Sequence, residues 1–338
     1  MIYSGPFFWQ FNQQEHHLIE PDDFIKFDRS ADTIAIDFYT YDYDQQSEII
    51  NHLLNRCTRL FVYNNEAVHN ESTNYADFIK ANDYEKIIFF SDTILNFNLN
   101  HARCLPLVCW FIDHVNYYAT ANWAKKLLGQ LNHTYDRPKM FDCLLGSTKT
   151  HRDFIEKLYQ TSPYKDQIIF SYFKYRIENG LWDSKYHPSK LGVPLTSNQF
   201  KIDDEDARVS AMIPTDIYNN SYYSVVAETI STNEYSHFTE KVAKPIVALR
   251  PFVVFAGQHY LRNLKKLGFQ TFSSVIDESY DDHANDQTRF KLAWQQVEYL
   301  CQQNPRQIIE RLQPVLDHNK QHFLMTDWIR PARNLLAY

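Results

Sequence analysis

The residues best placed to do chemistry lie between Ser221 and Gly257. An apolar run, Tyr223 to Ala227, reads as a buried strand and ends in a carboxylate, Glu228. A polar loop follows, Thr229 to Phe238, and Thr239-Glu240-Lys241 then opens a helix. A second apolar strand, Pro251 to Ala256, closes the unit at Gly257. Strand, loop, helix start and strand make a βαβ unit, whose ligands sit beyond the strand ends. Lys241 and Lys244 fall one turn apart on one helix face. With the free N–H groups of a helix start they form an anion site suited to a diphosphate. Glu228 or Glu240 is then placed to hold ribose hydroxyls. The competing reading is a surface helix with solvated lysines. Pro245, inside the helix, leaves the carbonyl of Lys241 without its usual partner, a cost accepted more readily at a site.

A second constellation opens the same half of the chain. Met140 to Leu145 reads as a strand, Gly146 to Lys149 as a turn, and His151 to Tyr159 as a helix. Arg152 then stands near a helix N-terminus, where cations are unusual. It either awaits an anionic ligand or pairs with Asp153 or Glu156.

At these residues the chain resembles the α-1,3-fucosyltransferase-like glycosyltransferases. His237-Phe238-Thr239-Glu240-Lys241 is similar to the aromatic-x-Thr-Glu-Lys run with which that family binds its nucleotide sugar. The stretch Lys244-Pro245-Ile246 to Pro251-Phe252, with Leu267-Gly268-Phe269 and Asp277 to Asp281, resembles a related group from bacteria, phages and large viruses. Two departures stand out: Ala227-Glu228-Thr229 replaces Phe-Glu-Asn, and His237 stands where the fucosyltransferases have Tyr. The resemblance covers about Lys139 to Leu300. It implies a GT-B-type fold, a nucleoside-diphosphate sugar donor (a GDP-sugar before others), inversion, and no obligatory metal or other cofactor. It also implies a phosphate contact from Arg152, with Lys149 and His151 behind it. Asp277, Glu278 and Tyr280 either close over the donor or form a structural turn.

The elements that must position these groups alternate along the chain. Strands are predicted at Ile34–Phe38, Leu60–Tyr63, Lys86–Phe90 and Gln167–Tyr172, with a further apolar run at Leu107–Ile112. Helical stripes are predicted around Ile49 to Leu54, Tyr75 to Ala81, Asn122 to Leu131, His259 to Leu267 and Arg289 to Cys301. That alternation predicts an α/β protein of two Rossmann-like domains facing a cleft. The boundaries fall at 1–134 for an acceptor-side domain and 139–325 for the donor domain, with 326–338 packing back on the first. Inverting transfer calls for a carboxylate in the first domain that deprotonates the acceptor hydroxyl. Strand ends offer Glu66, Asp92 and Asp113 (beside His114), with Glu66 first.

Composition narrows the partners. The 338 residues carry a net charge of −7, and the first 134 hold about twice as many carboxylates as Lys plus Arg. Such a surface repels a phosphate backbone, so a neutral glycan hydroxyl is the expected acceptor and nucleic acid is not. A base glycosyltransferase of the phage type and a non-catalytic nucleotide-sugar-binding protein are the alternatives. Seven glycines and no Gly-x-Gly-x-x-Gly speak against a dinucleotide oxidoreductase. Five unpatterned cysteines support neither a zinc site nor a disulfide framework. The acidic run Asp203 to Asp206 reads as a solvated loop rather than a metal site. No apolar run is long enough to span a membrane and no signal peptide is visible, which predicts a cytoplasmic protein.

Overall fold

A computed structural model describes residues 2–4, 31–38, 43–64, 75–133, 136–146, 148–172, 199–202 and 205–336. The chain is α/β, and it divides into two compact units. One is Met1–Ile112 with Asp327–Tyr338, and the other is Asp113–Thr326.

The first unit holds a parallel five-stranded sheet. Its strands run in the order β1 (Ile2–Ser4), β2 (Ala31–Asp37), β3 (Cys57–Asn64), β4 (Ile87–Ser91) and β6 (Arg103–Pro106), with the short β5 (Thr93–Leu95) between the last two in sequence. Helices α1 (Tyr43–Leu54) and α2 (Tyr75–Ala81) make the crossovers. The expected apolar stripe of α1 is present, since Ile49, Ile50 and Leu53 are buried. Parallel strands covered by helices read as continuous apolar runs, and Leu60–Tyr63 and Ile87–Phe90 are buried throughout. The C-terminal α11 (Arg330–Leu336) adds Ala332 to the core formed by Ala35, Phe61 and Phe90.

The run Leu107–Ile112 departs from expectation. The strand is Arg103–Pro106, and the apolar run leads into helix α3 (Cys109–Thr120). Periodicity alone does not separate a short buried strand from a buried helical turn.

Division at 112/113 also differs from a boundary near 134. Helices α3 and α4 (Asn122–Gly129) are tied to distant parts of the second unit. Tyr118 donates to the Ala211 carbonyl at 2.7 Å, and Glu205 accepts the first N–H of α4, that of Asn122, at 2.7 Å. Glu205 thus belongs to an antiparallel hairpin, β9 (Gln199–Ile202) with β10 (Glu205–Arg208). Asp203 and Asp204 between them lie outside the described residues.

The second unit is organised by a parallel sheet of β7 (Lys139–Leu145), β8 (Ile168–Tyr172), β11 (Ser221–Ala227) and β13 (Phe252–Phe255). Their spatial order is β13-β11-β7-β8. Counted from the first strand this is the doubly wound 2-1-3-4 order, in which the chain reverses direction between β7 and β11. Helix α5 (Thr150–Thr161) leads from β7 to β8; the loop with the short β12 (Tyr235–His237) and then α7 (Glu240–Val247) lead from β11 to β13. Alternation along the strands sends Asp142 and Ser224 to the face of α6 (Thr215–Asn220) and α7, and Phe141, Cys143 and Tyr223 to the other. The long α9 (Asp286–Cys301) packs on that second face, and α10 (Pro305–Met325) packs on α7. Among the described residues no helix is long and apolar enough to cross a membrane.

Candidate functional site

The reversal between β7 and β11 splays the following helices to opposite faces and opens a crevice at the carboxyl edge, where open α/β sheets bind ligands. The structure gathers most of the expected donor-binding residues there. Glu228, the residue after β11, holds them together. Its carbonyl oxygen accepts from His151 Nε2 at 2.9 Å and from Arg152 Nη2 at 3.2 Å, fixing the start of α5. Because a carbonyl only accepts, the His151 proton sits on Nε2. Burial, with Arg152, Lys149 and Lys241 nearby, lowers the His151 pKa to about 4, and the ring is neutral at pH 7. Burial also lowers Arg152, against the pull of Glu228 and Glu240. Gly146 leaves room for this guanidinium, since a Cβ there would meet Arg152 Nη1 at 3.2 Å. Lys149 is the N-cap residue of α5.

The Glu228 carboxylate does not fit the ribose role expected of it. The residue is fully buried. Oε2 accepts from the Thr239 hydroxyl at 2.6 Å and the Thr229 amide at 3.2 Å, while Oε1 accepts from the Tyr260 hydroxyl at 2.7 Å. Burial, then the charge of Glu228, push the Tyr260 phenol well above its ordinary pKa, so it keeps the proton it donates. This carboxylate is a strut between β11, α7 and α8 (Tyr260–Lys266).

Thr239 is likewise structural. It is the N-cap of α7, with its hydroxyl accepting from the Lys241 amide at 3.3 Å. His237 is buried at the end of β12.

Glu240, Lys241 and Lys244 supply the remaining charged groups. Lys241 Nζ donates to Thr229 Oγ1 at 2.9 Å and to Glu240 Oε1 at 2.6 Å, with a quarter of its side chain exposed. Burial disfavours the Glu240 charge, but Lys241 and Lys244, with His114 adding a smaller pull, outweigh it and hold the pKa down to about 2. Burial, reinforced by Lys241 and opposed by Glu240, lowers Lys244 to about 8. Lys241 and Lys244 face a cavity of about 90 Å³ that Asp142, Tyr218 and Ser224 also line. It holds a phosphate-sized group or a few waters, not a whole nucleotide.

The lowered Lys244 pKa has a consequence with a definite sign. Between about 8 and the ordinary 10.5 the unfolded chain binds the proton that the folded chain has lost. Stability therefore rises with pH across that window, by at most about 3 kcal/mol. Anion affinity falls over the same range. Both trends are expected to vanish in Lys244→Met, as measured by urea denaturation and phosphate titration between pH 7 and 10.

No protein-family model and no curated protein matches the chain.

The remaining candidates fall elsewhere. Glu66 lies outside the described residues. Asp92 is buried just beyond β4 in the first unit. Asp113, expected at a strand end of the first domain, sits inside α3 and is counted with the second unit. Its neighbour His114 is buried near Glu240. The acidic loop is a structural turn. Glu278 accepts from the Thr271 hydroxyl and the Phe272 amide, both at 2.6 Å, and Asp281 accepts from the Leu261 and Arg262 amides at the start of α8. Tyr280 is buried.

Three groups that shape the site had not been singled out from the sequence: Tyr260, Asp142 and Arg250. Asp142, which lines the cavity, forms a buried ion pair with Arg250 at 2.7 Å. The only advance signal was an acid within the apolar run Met140–Leu145.

Proposed function

We propose that the chain binds a nucleoside-diphosphate sugar through its second unit and transfers the sugar to a glycan hydroxyl, in the manner of a GT-B transferase with two Rossmann-like domains. The observation that carries this reading is the pair Lys241 and Lys244 lining a phosphate-sized cavity beside β11, with Arg152 at the start of α5 bound to the Glu228 carbonyl, at the switch point of a doubly wound sheet. The resemblance of His237 to Lys241 to a donor-binding run supports it from the sequence. As the glycosidic bond breaks, negative charge grows on the departing diphosphate. Fixed cations aimed at that charge lower the barrier without first having to reorganise. Glu240, ionised beside Lys241, takes over the ribose contact, since the Glu228 carboxylate is already engaged by Thr229, Thr239 and Tyr260. The acceptor proton passes to a carboxylate, for which Glu66 and Asp113 are the candidates.

The test is a thermal-shift screen with GDP, UDP, CDP and ADP, with and without magnesium, on wild type and Lys241→Ala. A ligand at a hundred times its Kd stabilises by about 2.7 kcal/mol, a shift of a few degrees. A rise for one diphosphate, absent in Lys241→Ala, is expected, with GDP the first candidate. Silence with all four would overturn the reading.

A further inference from the structure

Among the described residues two non-glycines adopt a left-handed backbone, Leu249 at φ 53° and His259 at φ 67°. Leu249 is explained by local structure. It follows α7 in a Schellman turn, with the Arg250 amide donating to the Pro245 carbonyl at 2.9 Å and the Leu249 amide to Ile246 at 3.2 Å. His259 has no such explanation. It is the N-cap residue of α8, where backbones are ordinarily extended, and its side chain caps nothing. The helix start is served instead by Asp281, reaching the Leu261 amide at 2.9 Å and the Arg262 amide at 3.0 Å.

The segment around it is held on every side. A Cβ on Gly257 would lie 1.6 Å from the Thr232 carbonyl oxygen, so the loops after β13 and β11 touch backbone to backbone. The Gln258 amide donates to Asn233 Oδ1 at 2.9 Å, and the His259 amide to the Asp281 carbonyl at 2.8 Å. The imidazole is oriented by Nδ1, 3.2 Å from Asp282 Oδ1. A carboxylate accepts, so Nδ1 carries the proton and Nε2 is an acceptor in the neutral ring. Nε2 has no protein partner among the described residues, and 19% of the side chain is exposed. The next residue, Tyr260, donates to Glu228, the strut of the proposed phosphate site. Strained, over-determined residues persist where the strain serves a site.

We propose that His259 contacts the base of the nucleotide, accepting a hydrogen bond at Nε2 from a ring or amino N–H. This rests on the nucleoside-diphosphate reading and extends it. Phosphates at the gap between β7 and β11 leave the nucleoside to lie across the ends of β11 and β13, which are about 4.8 Å apart. His259, the N-cap residue of α8, lies four residues beyond the last residue of β13.

The strain makes the test selective. Glycine takes φ 67° without penalty, so His259→Gly removes the ring while relaxing the backbone. Calorimetric titration of wild type and His259→Gly with pyrophosphate and with the preferred nucleoside diphosphate separates the outcomes. The variant is expected to melt no lower than wild type, to bind pyrophosphate within about twofold, and to bind the nucleoside diphosphate at least about tenfold more weakly. His259→Asn, which also tolerates this backbone, should show the same split between ligands. Unchanged nucleoside-diphosphate affinity in His259→Gly would overturn the assignment, and so would an equal loss for pyrophosphate. A wild type that binds neither ligand would instead sink the functional reading on which it rests.

Discussion

Arg250→Met is expected to cost the second unit about 3–5 kcal/mol, a large share of the about 5–15 kcal/mol that holds a typical domain together. Arg250 is 2% exposed and donates to six groups. Nη2 meets Asp142 Oδ2 at 2.7 Å, Ser221 Oγ at 2.9 Å and the Tyr223 carbonyl at 3.1 Å; Nη1 meets the Tyr218 and Ser221 carbonyls at 2.9 and 2.6 Å; Nε meets Ser224 Oγ at 3.2 Å. Its guanidinium also lies 4.1 Å over the Tyr218 ring. Without it Asp142 stays buried beside two serine hydroxyls, and three strand and helix carbonyls lose a donor. Burial already pushes the Asp142 carboxyl above its ordinary pKa, against the opposing pull of Arg250, so the lone acid would take up a proton rather than stay charged. Hydrogen exchange at the amides of β7 and β11 reads the loss directly, without requiring the two units to unfold together. The double variant Asp142→Leu/Arg250→Met should recover a good part of it, because removing both charges avoids the stranded one. Loss below about 1 kcal/mol in the single variant would show that the pair is dispensable.

That pair also shows what a sequence conceals. Strands β3, β4, β7, β11 and β13 were legible because a buried parallel strand must be a short apolar run, and the groups that follow each run mark the carboxyl edge. Lys241 and Lys244 were legible as neighbours because helical spacing alone puts them on one face. Asp142 was not, since its partner lies 108 residues away and no local period links them. Glu228 shows the converse. A carboxylate leaving a strand was correctly placed at the edge, but its role depends on Thr239 and Tyr260, 11 and 32 residues on, which turn it inward. The division at 112/113 was hidden for the same reason: Glu205 caps α4 from 83 residues away. The sequence thus marks where the site lies; which polar groups face the ligand depends on contacts between distant segments.

Under the proposed transferase reading, Arg152→Ala is expected to lower the turnover of sugar transfer about 10²–10³-fold, the usual cost of deleting one group that stabilises developing charge in a dry site. The side chain is 2% exposed, so its charge is little screened by water, and Nη2 donates to the Glu228 carbonyl at 3.2 Å. The split between kinetic constants is as informative as the size of the loss. Charge on the departing diphosphate is greater in the transition state than in the bound donor, so kcat should fall further than KM rises. A change confined to KM would mean that Arg152 binds ground state and transition state alike. Arg152→Lys should recover only part of the rate, because a single ammonium does not reproduce a planar fork that can meet the Glu228 carbonyl and a phosphate oxygen together. The fold should tolerate the alanine variant better than it tolerates Arg250→Met. His151 still donates to the same Glu228 carbonyl at 2.9 Å, so the start of α5 keeps an anchor when the guanidinium is gone. A variant that melts near wild type and transfers sugar at an undiminished rate would remove Arg152 from the chemistry and leave it as a second brace for the loop.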